Sequence, residues 1–164
     1  MSKKVAMSGI FIALAMIFSY IEVLIPINLG IPGVKLGLAN LVVVTALYTM
    51  GARSAFNISV IRVVMVAITF GNMSAMFYSL AGGLLSFAGM VLLKKIPRFS
   101  MIGVSVIGGI LHNIGQIVVA ALVVENLHVL FYLPVLLVAG TITGTLIGII
   151  SSRIVPRIEK VFKS

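Results

Sequence analysis

Residues 26–53 read PINLGIPGVKLGLANLVVVTALYTMGAR. Two prolines and three glycines punctuate the first dozen positions, with Lys35 set between Gly33 and Gly37 and with Asn40 just beyond. An apolar run over about residues 36–50 follows, closed by Gly51 and Arg53. At 1.5 Å per residue that run reaches roughly 22 Å, against a hydrocarbon core near 30 Å. It is too short to cross a bilayer alone. Irregular backbone at membrane depth is tolerated only where protein or a water-filled cavity covers it. The segment 26–35 is therefore expected to fold back over the helices as a lid, and the truncated helix after it marks a binding cavity open to the outside.

The rest of the chain frames that stretch. Of 164 residues, 61% are apolar and 9% charged, with a mean hydropathy of +1.28. A folded soluble domain needs far more polar surface, so the chain is an integral membrane protein. Turn signals separate six expected spans, at about 5–25, 36–50, 55–70, 75–93, 101–124 and 130–152, within a single membrane domain over residues 1–164. The first is read as a retained helix rather than a signal peptide, because no small-residue cleavage site follows it. The third is also short and ends at Gly71 and Asn72.

The net charge of +9 would suggest nucleic acid in a soluble protein. Its distribution reads as topology instead. Ten of the twelve basic residues lie at the chain ends or in alternate connections: Lys3 and Lys4, Arg53, Lys94, Lys95 and Arg98, then Arg153, Arg157, Lys160 and Lys163. With the N-terminus cytoplasmic, all of these face the cytoplasm, and the outer connections keep Lys35, Glu125 and His128. Both termini are expected inside, in the cell membrane.

No cysteine is present, which removes disulfides, iron–sulfur ligation and cysteine-based zinc sites. The two histidines make a poor metal-ligand set, so neither a metal nor a cofactor is expected. The acids are Glu22, Glu125 and Glu159, with no aspartate.

Polar groups inside a bilayer are costly, so each needs a partner or a purpose. In LHNIGQ, residues 111–116, His112 and Gln116 are i,i+4 neighbours on one face of the fifth span, with Asn113 beside them. The row can offer donors and acceptors to a polar ligand, or simply tie helices together. Arg62 lies inside the third span, some 13 Å deeper than Arg53. It either snorkels towards the cytoplasm or is a buried cation paired with Glu22 or with an anion. Lys35 is a solvated lysine or part of an anion site beside the outward-facing N–H groups of the short helix. Glu125, Asn126 and His128 form a solvated turn or a gate. Gly140, Gly144 and Gly148 recur at i+4 in GTITGTLIG and cut notches in one face of the sixth span, for packing within the chain or for a partner protein. Gly9 and Ala13 make a smaller notch on the first.

Several blocks in order, PGVKLGLAN (32–40), RVVMVAITFGN (62–72), FYSLAGGLLS (77–86), IGVSVIGGILHNIGQIVVAALVV (102–124) and YLPVLLVAGTITGTLIG (132–148), resemble the Gx transporter family, often labelled heptaprenyl diphosphate synthase component I. That family is grouped with the substrate-binding S components of energy-coupling factor (ECF) importers. The resemblance implies six helices and an outer cavity capped by the loop after the first. It also implies association with a transmembrane coupling protein and two cytoplasmic ATPases. In the better-known S components docking uses an alanine-x-x-x-alanine motif on the first helix, where this chain has Gly9-x-x-x-Ala13.

The enzymatic label fails on the residues. Prenyl elongation needs clustered carboxylates to hold magnesium against a diphosphate, and the chain has no aspartate and no paired acids. It has no phosphate-binding loop either, so ATP hydrolysis would come from partners. The expected function is an S subunit, not an enzyme, that captures a small anionic or polar-headed vitamin or cofactor precursor. Its expected substrate-binding residues are Lys35, Asn40, Asn72, Tyr78, His112, Asn113, Gln116 and Arg62, with docking through Gly9 and Ala13. The alternative is a non-catalytic accessory subunit of isoprenoid or quinone metabolism that binds a prenyl diphosphate. A third reading, a subunit of a membrane electron-transfer complex, is weakened by the missing cysteines and leaves room only for a bound flavin.

Overall fold

The computed structural model describes residues 2–24 and 37–163, so the 26–35 segment and Lys35 lie outside the described residues. Six α-helices and one 3-10 turn follow in order: α1 (Ser2–Leu24), α2 (Leu38–Thr49), α3 (Ala52–Thr69), α4 (Met73–Lys94), α5 (Met101–Val124), the 3-10 turn (Leu127–Tyr132) and α6 (Leu133–Lys163). Among the described residues there is no strand.

Five helices are long and apolar enough to cross a membrane, and α2 is not. In the five, only 17–28% of the most apolar window is buried. Their outward faces carry large apolar side chains such as Ile17, Ile68, Leu122 and Val138, each more than half exposed. Such a surface is stable only against lipid. The chain is a multi-pass membrane protein.

α2 is the inverse case. Seven of its twelve residues are buried, on every side of the helix, from Ala39 through Val42 to Leu47. A helix apolar all round belongs in the interior, and α2 is where α1 (Phe11, Ala15), α3 (Ala55, Ile58), α4 (Met90), α5 (Val104) and α6 (Ile147) meet. Its ends are closed by side chains from other helices. At the start Gly37 takes a left-handed conformation (φ 72°) and supplies no side-chain cap. The Leu38 N–H instead donates to Glu22 Oε1 of α1 at 2.6 Å. At the other end Lys94 of α4 donates from Nζ to the Leu47 carbonyl at 2.6 Å and lies 4.6 Å from the centre of the Tyr48 ring. An acid at the N-terminus and a base at the C-terminus match the helix dipole.

α4, α5 and α6 pack as antiparallel neighbours at backbone contact. Gly109 and Gly140 face each other so closely that a Cβ on either would meet the other's carbonyl oxygen, while Gly144 and Gly148 rest on Ser105, Val106 and Ile102 of α5. The glycine notches of α6 thus serve packing within the chain. Gly115 lies on the backbone of Ala81 and Gly82 in the same manner.

The sixth expected span, 130–152, is drawn differently here. Residues 127–132 form the 3-10 turn, and α6 runs to Lys163, through Pro156. Ser151 and Val155 are buried and Ile158 packs against the core, while Arg153 and Arg157 are exposed. An apolar stripe at helical spacing thus continues the helix beyond its fully apolar part.

Candidate functional site

At the end of the bundle where α1 finishes and α2 begins, the helices leave a cavity of about 300 Å³. α1 contributes Ser19, Glu22 and Val23, the start of α2 Gly37, Ala39 and Asn40, and one face of α3 the residues from Arg62 to Ala67 with Phe70 and Gly71 just beyond its end. α4 contributes Asn72, Ala75, Met76 and Ser79, α5 Gly109, His112, Asn113 and Gln116, and α6 Thr143. The basic residues Arg53, Lys94, Lys95 and Arg98 belong to helix ends and turns at the opposite end, and Arg153 and Arg157 to the C-terminal third of α6. Among the described residues Arg62 is the exception.

Arg62 is only 9% exposed. Its side chain crosses from α3 towards α1, where one terminal nitrogen donates to Ser19 Oγ at a long 3.4 Å. Its Nε has no hydrogen-bond partner. Glu22, one turn beyond Ser19 on the same face of α1, is near enough to act electrostatically on the guanidinium. Of the two sequence readings, the buried cation beside Glu22 is the one the geometry supports; the side chain does not snorkel towards the basic end. Tyr20 and Phe70 meet edge to face with ring centres 5.2 Å apart, which fastens α1 to α3 beside this wall.

On the far wall His112 and Gln116 stand one turn apart on α5, behind Gly82 of α4. Asn113 also borders the cavity, but its Nδ2 donates to the Leu136 carbonyl of α6 at 2.6 Å, so this amide ties α5 to α6. Asn40 lines the cavity from the first turn of α2. Asn72 lines it too, yet its Oδ1 accepts from the Ala75 N–H at 2.8 Å as the N-cap of α4.

Six of the eight expected substrate-binding residues therefore border one cavity: Asn40, Arg62, Asn72, His112, Asn113 and Gln116. Tyr78 does not; the lining face of α4 passes through Ala75, Met76 and Ser79, and Tyr78 falls off that face. Lys35 is outside the described residues. Asn126 accepts the His128 N–H at 2.9 Å, and both residues are exposed and outside the cavity lining. Gly9 and Ala13 are exposed on α1, and a Cβ at Gly9 would meet nothing within 4 Å. Sequence reasoning left out Ser19, Glu22, Ser79 and Thr143 as lining residues. The i,i+3 spacing of Ser19 and Glu22 was the available signal for the first two.

Among the described residues no three His, Cys, Asp or Glu side chains gather as metal ligands. The arrangement offers hydrogen-bonding and charge recognition in a small-molecule-sized space, with neither a nucleophile and base pair nor paired carboxylates among its described lining residues. No curated protein and no solved structure matches the chain significantly. The family model described as heptaprenyl diphosphate synthase component I matches residues 11–154, which takes in α2 to α5 whole, the greater part of α1 and α6, and all of the described cavity lining. On that match, the chain belongs to the heptaprenyl diphosphate synthase component I family.

Proposed function

We propose that the protein is the substrate-binding subunit of an ECF-type importer, which takes a small polar-headed vitamin or cofactor precursor from outside and hands it to a coupling protein driven by cytoplasmic ATPases. The observation that carries the reading is the cavity itself. It is a single recess of about 300 Å³ whose lining mixes apolar side chains with Asn40, Arg62, His112 and Gln116. That volume is at the lower end of the range for small-molecule sites, ~300–1,000 Å³. The basic end of the bundle supports an orientation with that end in the cytoplasm and the cavity outside. In this orientation the exposed Gly9-x-x-x-Ala13 notch is open to a coupling protein. The polypeptide itself is not an enzyme on this reading, since its acids are three glutamates far apart in sequence.

The test is purification of the chain with and without the ATPases and coupling protein, followed by mass spectrometry of the ligand retained. An ATPase module that co-purifies with a chain holding a small polar compound supports importer function. Lys35→Ala and Gln116→Ala should each weaken binding of that compound while the protein stays folded. Unchanged affinity in both removes this site.

The family's description favours a second reading, an accessory subunit that holds a prenyl diphosphate without catalysing its synthesis. The cavity has the volume of about ten waters at ~30 Å³ each, too little to enclose seven isoprene units. The tail would have to leave between α3 and α4, where Phe56, Leu80, Leu84 and Phe87 line a shallow apolar groove that shares Val63 and Ser79 with the cavity. A retained polyprenyl compound and no co-purifying ATPase would favour this second reading over the first.

A further inference from the structure

We infer that the cavity is built for a ligand with one anionic group, a carboxylate or a phosphate, and that Arg62 is the residue that anchors it. This rests on reading the cavity as a ligand site and adds the ligand's charge class.

A guanidinium carries five N–H donors. Of those on Arg62, one makes a long contact to Ser19 Oγ and the Nε–H meets no acceptor. A cation nine-tenths buried with donors unspent is costly to hold, and one partner of opposite charge offsets the cost. Glu22 is the acid nearby, but it already accepts the Leu38 N–H at 2.6 Å as the cap of α2. It serves a helix N-terminus as well as the guanidinium. The helix ends around the cavity balance: α2 and α4 begin on its wall, at Gly37–Asn40 and Asn72–Met76, while α1 and α3 end there, at Glu22–Val23 and Phe70–Gly71. The guanidinium therefore keeps N–H donors that a carboxylate shared with a helix N-terminus does not fill, and a single negative group matches them.

The geometry of a guanidinium suits a carboxylate or phosphate oxygen pair, which takes two parallel N–H donors at once. On the opposite wall Gln116 and His112 border the cavity with polar side chains. The ligand is thus small, anionic at the α1–α3 side and polar at the α5 side.

The test uses the full chain in detergent or nanodiscs and three probes built on one phenyl ring: benzoate, its neutral isostere benzamide, and phenyl phosphate, titrated by calorimetry. Saturable binding of either anion, with benzamide at least tenfold weaker, is the expected result; which anion is preferred tells a carboxylate site from a phosphate site. Arg62→Gln should weaken the anion at least tenfold, and Arg62→Lys, which keeps the charge but loses the fork, by less. Glu22→Gln keeps an oxygen for the Leu38 N–H and removes the competing charge, so anion binding should tighten. If Arg62 serves only as a structural partner of Glu22, Glu22→Gln lowers stability and leaves affinity unchanged, which overturns the inference. So does benzamide binding as tightly as the anions, or neither anion binding the unaltered protein, a comparison that needs no variant to fold. Failure here is separable from failure of importer function. A neutral or cationic compound retained with a co-purifying ATPase module would sink the anion site alone, whereas anion binding without any such module would sink only the importer.

Discussion

Gly82 and Gly83 are neighbours on α4, and replacing each by alanine should change stability in opposite directions. A Cβ on Gly82 would stand 2.6 Å from the His112 carbonyl oxygen, 2.8 Å from Gln116 Cγ and 3.1 Å from His112 Cε1. Ordinary contact begins at 3.4 Å, so the carbonyl must retreat by about 0.8 Å, and it belongs to the backbone of α5. Overpacking of this kind costs ~1–3 kcal/mol. At Gly83 the only atom within 4 Å is Ser59 Oγ at 3.8 Å, an ordinary contact. Both alanines gain the same helix propensity over glycine, about 1 kcal/mol, so that term cancels in the comparison. Gly83→Ala should therefore be as stable as the parent or up to about 1 kcal/mol more so, and Gly82→Ala lower than Gly83→Ala by ~1–3 kcal/mol. Denaturation of the detergent-solubilised chain, followed by circular dichroism, measures both. Gly82→Ala should also weaken ligand binding, because the atoms it displaces carry His112 and Gln116. A Gly82→Ala protein as stable as the Gly83→Ala protein would refute the α4–α5 contact and with it the placement of the far wall.

Lys94→Met keeps the apolar stem and removes the charge that caps α2 at the Leu47 carbonyl and faces the Tyr48 ring. A loss of about 1 kcal/mol is expected, since the head group is partly solvated, and the loss should shrink at high salt. Asn72→Ala removes the N-cap of α4 and should cost about 1 kcal/mol with little change in ligand affinity. Asn72→Ser, which caps about equally well without adding charge, should restore the stability; a large affinity loss in both would make Asn72 a ligand contact instead.

Much of the fold was legible because membrane helices announce themselves through apolar length. The boundaries of α4 and α5 fall within two residues of the expected spans at 75–93 and 101–124, and the second run was rightly judged too short to cross. The continuation of α6 past Ser152 was hidden because charge and Pro156 mark the end of a span, while an amphipathic stripe carries the helix on. The polar row His112–Gln116 could be placed from i,i+4 spacing alone, and it does line the cavity. What spacing within one helix cannot supply is the depth match between helices. Ser19, Glu22 and Arg62 lie 43 and 40 positions apart in the chain, and only the packing of α1 on α3 brings them to one wall. Tyr78 shows the same limit on a smaller scale. It sits beside lining residues in sequence, but helical rotation carries it off the cavity face.

The two charges that close α2 have a consequence for how the chain is made. A helix of about 18 Å cannot settle across a bilayer as an independent unit when it leaves the translocation channel. Its Leu38 N–H can bond Glu22 as soon as it is made, but its Leu47 carbonyl waits for Lys94, which emerges only with the end of α4. Until α4 arrives, α2 lacks that cap at its C-terminus. A chain stalled before Lys94 should therefore hold α2 less firmly, and protease should cut at the exposed Ala52 and Arg53 faster than in the full chain.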